Sequence, residues 1–244
     1  VTKNSKLAAW LTLLAFLVAF AAVYAAVKYV TALVMPHVAL HGPREIAAFR
    51  GASSVILVWA EFGATLLLLR LRGQTLSDLG WGKSSSLWGW LVALVAVIIY
   101  AGFAVMGPML KGAPLLTDWS AFRIAMALGI GLSAGICEET MFRGFVMTQA
   151  RDGGAPVVIQ VLLSTLLFGL AHMGWGGSSG HFELASMIGA MISTSILGLM
   201  LAIAYAVGRR SLMPVVAAHA VIDMIIEPWL MLFAVSGGFQ HLAH

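Results

Sequence analysis

Seven stretches of about twenty apolar residues, joined by short connections, leave this chain almost nothing from which to build a water-soluble core. A helix needs ~20 apolar residues in succession to cross the ~30 Å hydrocarbon layer of a bilayer. The sequence offers such stretches at 7–35, 53–69, 87–107, 122–148, 156–173, 184–207 and 212–235. In lipid every backbone N–H and C=O must find its partner inside the protein, and a helix does so within its own segment. The expected fold is therefore all-α, a polytopic transmembrane helix bundle of about seven spans, or eight if a further segment re-enters. Composition agrees: 10% of the residues are charged, against roughly 25% in soluble domains, and the mean hydropathy is +0.96. Any chemistry would have to be done by the bundle itself.

The pI near 9.5 could suggest a nucleic-acid surface. The basic residues, however, stand singly or in pairs at span ends, where they read as topology signals. With the N-terminus inside, inner connections hold Lys3, Lys6, Arg70, Arg72, Lys83, Arg151, Arg209 and Arg210, and outer ones Arg44, Arg50, Lys111 and Arg123. That bias predicts N-in and C-out for seven spans. The first span is longer than the ~7–15 apolar residues of a signal peptide and reads as a retained anchor. The connection 73–86 is rich in Gly and Ser, with Trp81 suited to the lipid–water boundary, and 174–182 reads as a flexible loop. The single cysteine, Cys137, excludes an intrachain disulfide.

Against this background the acids stand out. Only ten residues are acidic, and two of them, Glu138 and Glu139, lie inside an apolar stretch with Arg143. A charge at bilayer depth costs about 3 kcal/mol even on the milder scales, so such groups usually line a wet cavity. Glu139 and Arg143 are four apart and can pair along one helix face. Glu138 lies ~100° around the axis, lacks a local partner, and is the candidate general base. This segment alone fits a structural charge cluster or an ion path equally well. His172 follows Phe168 by one turn and could simply be an interface residue. His219 and Asp223 are also one turn apart, so the carboxylate can orient the imidazole or merely join two helices. Glu61, on the 53–69 stretch, and Glu227 carry no assignment. His172 lies about 16 residues along its stretch and His219 about 7 along its own, about 15 Å apart in depth by helix rise. The helices must be offset or broken for the two to meet.

Taken together, EExxxR, FxxxH and HxxxD, in that order over residues 130–226, resemble the CPBP family of CAAX proteases and bacteriocin-processing enzymes, intramembrane glutamate-type endopeptidases. The resemblance implies a central membrane-embedded catalytic cavity in which Glu138 and His172 activate a water. It implies that His219 and Asp223 stabilise the oxyanion, and that Glu139, Arg143 and Phe168 support the site. The family usually has Asn or Asp at the last position, and an ionised Asp223 only accepts hydrogen bonds. It would therefore act on the oxyanion through His219. The chain divides accordingly into N-terminal helices 1–121, a catalytic core 122–235 and a tail 236–244.

No cofactor is expected, the alternative being a zinc site of Glu138, His172 and His219. The expected partners are a peptide or membrane-anchored protein substrate and the lipid bilayer, with no nucleic acid. The expected location is a prokaryotic cytoplasmic membrane, as a multi-pass protein. Two other readings use the same residues: a non-proteolytic scaffold or regulator of a partner protein, and a transporter. The second would lead one to look for internal repeats, and the sequence has none.

Overall fold

A computed structural model describes residues 3–110, 121–173 and 184–235. Within them the helices are α1 (Lys3–Val34), α2 (Pro43–Leu71), α3 (Leu87–Leu110), α4 (Ala121–Glu139), a π-helical segment (Thr140–Val146), α5 (Met147–Asp152), α6 (Val157–Ala171), α7 (Leu184–Val207) and α8 (Met213–Val235). Among the described residues four stretches are long and apolar enough to cross a membrane: Ser5–His37, Glu45–Leu71, Ile124–Asp152 and Met187–Val207. Leu87–Phe103, Val157–Ala171 and Met213–Ile226 are shorter apolar helices that pack with them. Their outward faces are apolar, as Leu94, Ile98, Leu162 and Leu166 show. This is the arrangement of a helical membrane bundle.

Every apolar stretch read from the sequence is helical, with two differences. The 53–69 stretch belongs to a 29-residue helix, α2. Its first turns carry Arg44, Glu45 and Arg50, which end an apolar reading too early. The local start signals are nonetheless present: Pro43 stands in the first turn, where no N–H is needed, and Glu45 suits the positive end of the helix dipole. The 122–148 stretch is one continuous rod only in outline, because its backbone widens to π-helix directly after Glu139. Such widened turns commonly mark functional sites. Here Thr140 sits at the start of the wide turn, donating its hydroxyl hydrogen to the Ile136 carbonyl at 2.6 Å and accepting from the Trp81 indole at 3.0 Å.

Small residues set how closely the helices approach, as expected where lipid gives no hydrophobic incentive for helices to associate. α4 lies against α8 through Gly131 and Gly135. A Cβ at Gly135 would stand 2.7 Å from the Val216 carbonyl oxygen and 2.9 Å from the Ala220 Cβ. α6 meets α7 at Gly169 in the same way, against Ser195. α1 is held by aromatic contacts: the Phe16 ring is 5.5 Å from Phe145 and the Phe20 ring 5.9 Å from Phe142.

One end of the bundle is closed by backbone caps. At the end of α2, Gly73 adopts a left-handed φ of 65°, its N–H bonds the Arg70 carbonyl at 2.9 Å, and Gln74 N–H bonds Leu69 at 3.0 Å. These are the paired bonds of a Schellman turn. α5 ends likewise around Gly154, and α7 around Arg209 and Arg210, both left-handed at φ 58° and 57°. The 73–86 connection is tied down here rather than free. Tyr205 donates to the Leu79 carbonyl at 2.7 Å, Ser211 to that of Lys83 at 2.7 Å, and Leu212 N–H to Gly80. Trp81, expected at the lipid boundary, is half-buried against Thr140. Within this connection the Thr75 N–H and hydroxyl donate to Asp78, holding its carboxyl below the usual range. The 174–182 loop and the 236–244 tail lie outside the described residues, as does Glu183.

The α4–α8 contact gives a direct prediction. Gly135→Ala should destabilise the protein by about 1–3 kcal/mol through overpacking, lowering the unfolding midpoint in detergent. Gly129→Ala, where none of the described residues lies within 4 Å of the added methyl, should be neutral or slightly stabilising. Equal midpoints for the two would contradict the close approach.

Candidate active site

The three motifs converge on one cavity of about 280 Å³ inside the bundle, to which Glu138, Phe168, His172, His219 and Asp223 all contribute. Each arrives from a different local setting. Glu138 is on the last turn of α4, before the π segment. His172 is the residue that caps α6, a helix of 15 residues that stops at Ala171 and leaves the imidazole at its end. His219 and Asp223 are on the second and third turns of α8. The depth offset between the histidines is bridged by consecutive glutamates, since Glu138 faces His172 and Glu139 reaches His219. Phe168 lies between the rings, 4.6 Å from His172 and 5.7 Å from His219.

Exposure separates two sets of groups. Glu138 and His172 each keep 18% of their side-chain surface exposed and Asp223 keeps 17%, whereas Glu139 and Arg143 keep none and His219 keeps 3%. The first set faces the cavity and the second forms its wall. Arg143 Nη1 donates to Glu139 Oε1 at 2.6 Å, the pairing that the four-residue spacing predicts, and Nη2 donates to the Gly198 carbonyl on α7 at 3.0 Å. The guanidinium carbon lies 4.3 Å from the Phe168 ring centroid, a cation–π contact in a water-poor setting. Gly198 leaves the space for this reach, since a Cβ there would stand 3.0 Å from the Phe168 ring. The same Glu139 oxygen also takes a hydrogen bond from His219 Nδ1 at 2.7 Å. One carboxylate oxygen thus binds the EExxxR segment to α8, and Arg143 carries the connection on to α7.

On the cavity side, His172 Nδ1 is 2.8 Å from the Phe168 carbonyl. A carbonyl only accepts, so Nδ1 carries the hydrogen, and in the neutral ring Nε2 presents a lone pair. That nitrogen is 3.7 Å from Glu138 Oε2. His219 Nε2 lies 3.5 Å from Asp223 Oδ2. Among the described residues, no three His, Cys, Asp or Glu side chains come together as a metal-ligand set. The two ring nitrogens of His219 lie 2.7 Å from Glu139 and 3.5 Å from Asp223. Cys137 is fully buried in the apolar core and does not line the cavity.

Other residues of this cavity were not marked by the motifs. Glu61 on α2, Tyr24 and Lys28 on α1, and Tyr100 on α3 all line it, and Tyr100 donates its hydroxyl hydrogen to the Ser193 carbonyl of α7. Glu61 carried a signal, being an acid within an apolar stretch, but only packing shows which face of α2 meets the site. The side chain of Glu227 lies outside the described residues.

Removing Arg143 should be costly, because it leaves the buried Glu139 charge without its strongest partner. Arg143→Met is expected to lose about 3–5 kcal/mol, read as a lower unfolding midpoint in detergent. Adding Glu139→Gln to it should recover part of the loss. If the double variant were less stable than the single one, the carboxylate would not be what Arg143 balances.

Residues 119–225 match the family model described as type II CAAX prenyl endopeptidase Rce1-like. Searches of curated proteins and of solved structures gave no significant match. The matched stretch contains EExxxR, FxxxH and HxxxD and the helices that bring them to the cavity. Over that stretch, somewhat under half of its length, this helical membrane protein is therefore similar to the Rce1-like CAAX-type endopeptidases.

Proposed function

We propose that this protein is a multi-pass intramembrane endopeptidase, residing in a prokaryotic cytoplasmic membrane. It hydrolyses a peptide bond near the membrane surface with a water activated by Glu138 and His172. The observation that carries this reading is the 3.7 Å approach of His172 Nε2 to Glu138 Oε2 on the cavity wall. At that separation one water can hydrogen-bond to both at ordinary distances of about 2.8 Å. Both groups accept, so the water donates one hydrogen to each and turns its lone pairs towards a substrate carbonyl.

As the water oxygen attacks, its proton passes to Glu138 and the carbonyl oxygen gains the negative charge. His219 lines the same cavity, and its Nε2–H is the donor that would meet that charge. Because Nδ1 donates to Glu139, a hydrogen on Nε2 makes the ring an imidazolium, whose charge Glu139 and Asp223 balance. Asp223 thereby acts through His219 and not on the oxyanion itself. Collapse of the tetrahedral intermediate breaks the C–N bond, and the leaving amine takes the proton from Glu138. The scheme uses no cofactor. A zinc mechanism would require His219 to turn away from two carboxylates and join Glu138 and His172. The substrate is a peptide or a membrane-anchored protein, and the lipid bilayer is the other partner.

The test is cleavage of a mixed fluorogenic peptide library by the purified protein, with and without EDTA. Wild type should cleave in the presence of chelator. Glu138→Gln and His172→Ala should each lower kcat by roughly 10²–10⁴-fold, the usual weight of a general acid–base group. Cleavage abolished by EDTA and restored by zinc would contradict the scheme. So would the absence of cleavage from well-folded wild type, which would favour a binding or regulatory role for the fold.

Asp223 gives a second, finer expectation. Asp223→Asn keeps a polar partner beside His219 and adds an N–H donor, and should stay within about tenfold of wild type in kcat. Asp223→Ala should lose roughly 10²–10³-fold, comparable to removing an oxyanion donor. Equal losses in both would mean that the negative charge itself is required.

A further inference from the structure

Glu61 is 5% exposed, lines the same cavity as Glu138 and His172, and its Oε1 has no hydrogen-bond partner among the described residues. Among the described residues it makes no ion pair. This is unlike Glu139, the other buried glutamate of the site, which is engaged by both Arg143 and His219. A carboxylate kept in an apolar span without a partner is costly, and a cation or hydrogen-bond donor that reaches it offsets that cost.

The charged groups that act on Glu61 are Glu138 and Lys28. Lys28 also lines the cavity, but its ammonium is placed 5.5 Å from the Tyr24 ring centroid rather than in an ion pair with Glu61. Among the described residues the wall therefore presents three carboxylates, Glu61, Glu138 and Asp223, against Lys28 and the His219 imidazolium, whose charge Asp223 already meets. A cavity with this imbalance favours cations and repels anions.

We propose that Glu61 is a specificity-determining residue that binds the ammonium or guanidinium group of a Lys or Arg side chain in the peptide substrate. The proposal rests on the peptidase reading for the nature of the ligand. Binding would give the carboxylate the partner it lacks, through a charge-assisted hydrogen bond of the stronger kind. It would also fix the register of the peptide relative to the Glu138–His172 pair, because Glu61 is held on a different helix from either.

The experiment uses the full chain in detergent, first in a Glu138→Gln background so that binding is read apart from turnover. Fluorescent peptides carrying Lys, norleucine or Glu at each position in turn are titrated by anisotropy. At one position Lys should bind about tenfold or more tightly than norleucine. Adding Glu61→Gln should bring that ratio near one, and Glu61→Lys should shift the preference to the Glu peptide. Lys28→Met should keep or increase the ratio, since it removes the competing internal cation.

A Lys preference that survives Glu61→Gln would overturn the proposal, as would equal binding of Lys and norleucine at every position. It would also be overturned if Lys28→Met destabilised the fold and Glu61→Gln restored it, which would make Lys28 the partner of Glu61. Repeating the peptide series as kcat/KM with Glu138 intact separates the two claims. Selective binding without cleavage would leave Glu61 a cation site and remove the peptidase reading, whereas cleavage without selectivity would do the reverse.

Discussion

A single oxygen, Glu139 Oε1, accepts hydrogen bonds from Arg143 at 2.6 Å and from His219 at 2.7 Å, and the site is built around it. Arg143 is fully buried, so its charge must be met inside the protein. Glu139, the Gly198 carbonyl and the Phe168 ring do so together. These contacts tie the end of α4 and the π segment to α6, α7 and α8. A buried ion pair is weak evidence for stability, since apolar groups of equal volume often serve as well. What it supplies here is position: His219 is fixed by a partner that itself cannot move. The neighbouring Glu138 is left outside this cluster and free to face the cavity.

This division gives the two adjacent glutamates different surroundings. On a helix, consecutive residues point ~100° apart, so one carboxylate can enter the wall while the other enters the space it encloses. The π turn begins at the next residue, Thr140, and its extra width is held by bonds to Ile136 and Trp81. Trp81 comes from the 73–86 connection, which is itself fastened to α7 and to the turn that leads into α8. The π segment is therefore in contact with a connection far from it in sequence.

Much of this was legible from the residues. The apolar stretches fall on the observed helices because length and hydropathy alone decide what can sit in lipid. The Glu139–Arg143 pair followed from its spacing, and the meeting of Glu138, His172 and His219 from the resemblance carried by three ordered motifs. Three features were not legible. The start of α2 was masked by Arg44, Glu45 and Arg50, whose charge ends an apolar window although Pro43 marks a helix start. The π segment meets a tertiary hydrogen bond from Trp81 at its first residue, and no local pattern encodes it. Glu61 stood out as an acid in an apolar stretch, but which face of α2 meets the cavity is set by packing against α1 and α4. The apparent depth conflict between the histidines arose from treating the spans as equal rods. α6 in fact stops at Ala171, and the two adjacent glutamates reach one histidine each.

In the proposed reaction Glu138 and His172 deliver a water directly to the peptide carbonyl. The measurement that tests it is single-turnover cleavage in ¹⁸O-labelled water, with the new carboxyl terminus and the protein both analysed by mass. Direct attack predicts one labelled oxygen in the product carboxylate from the first turnover, with no label incorporated into Glu138. An unlabelled product accompanied by label in the Glu138 carboxylate would mean that this residue attacks the substrate itself, and would contradict the account.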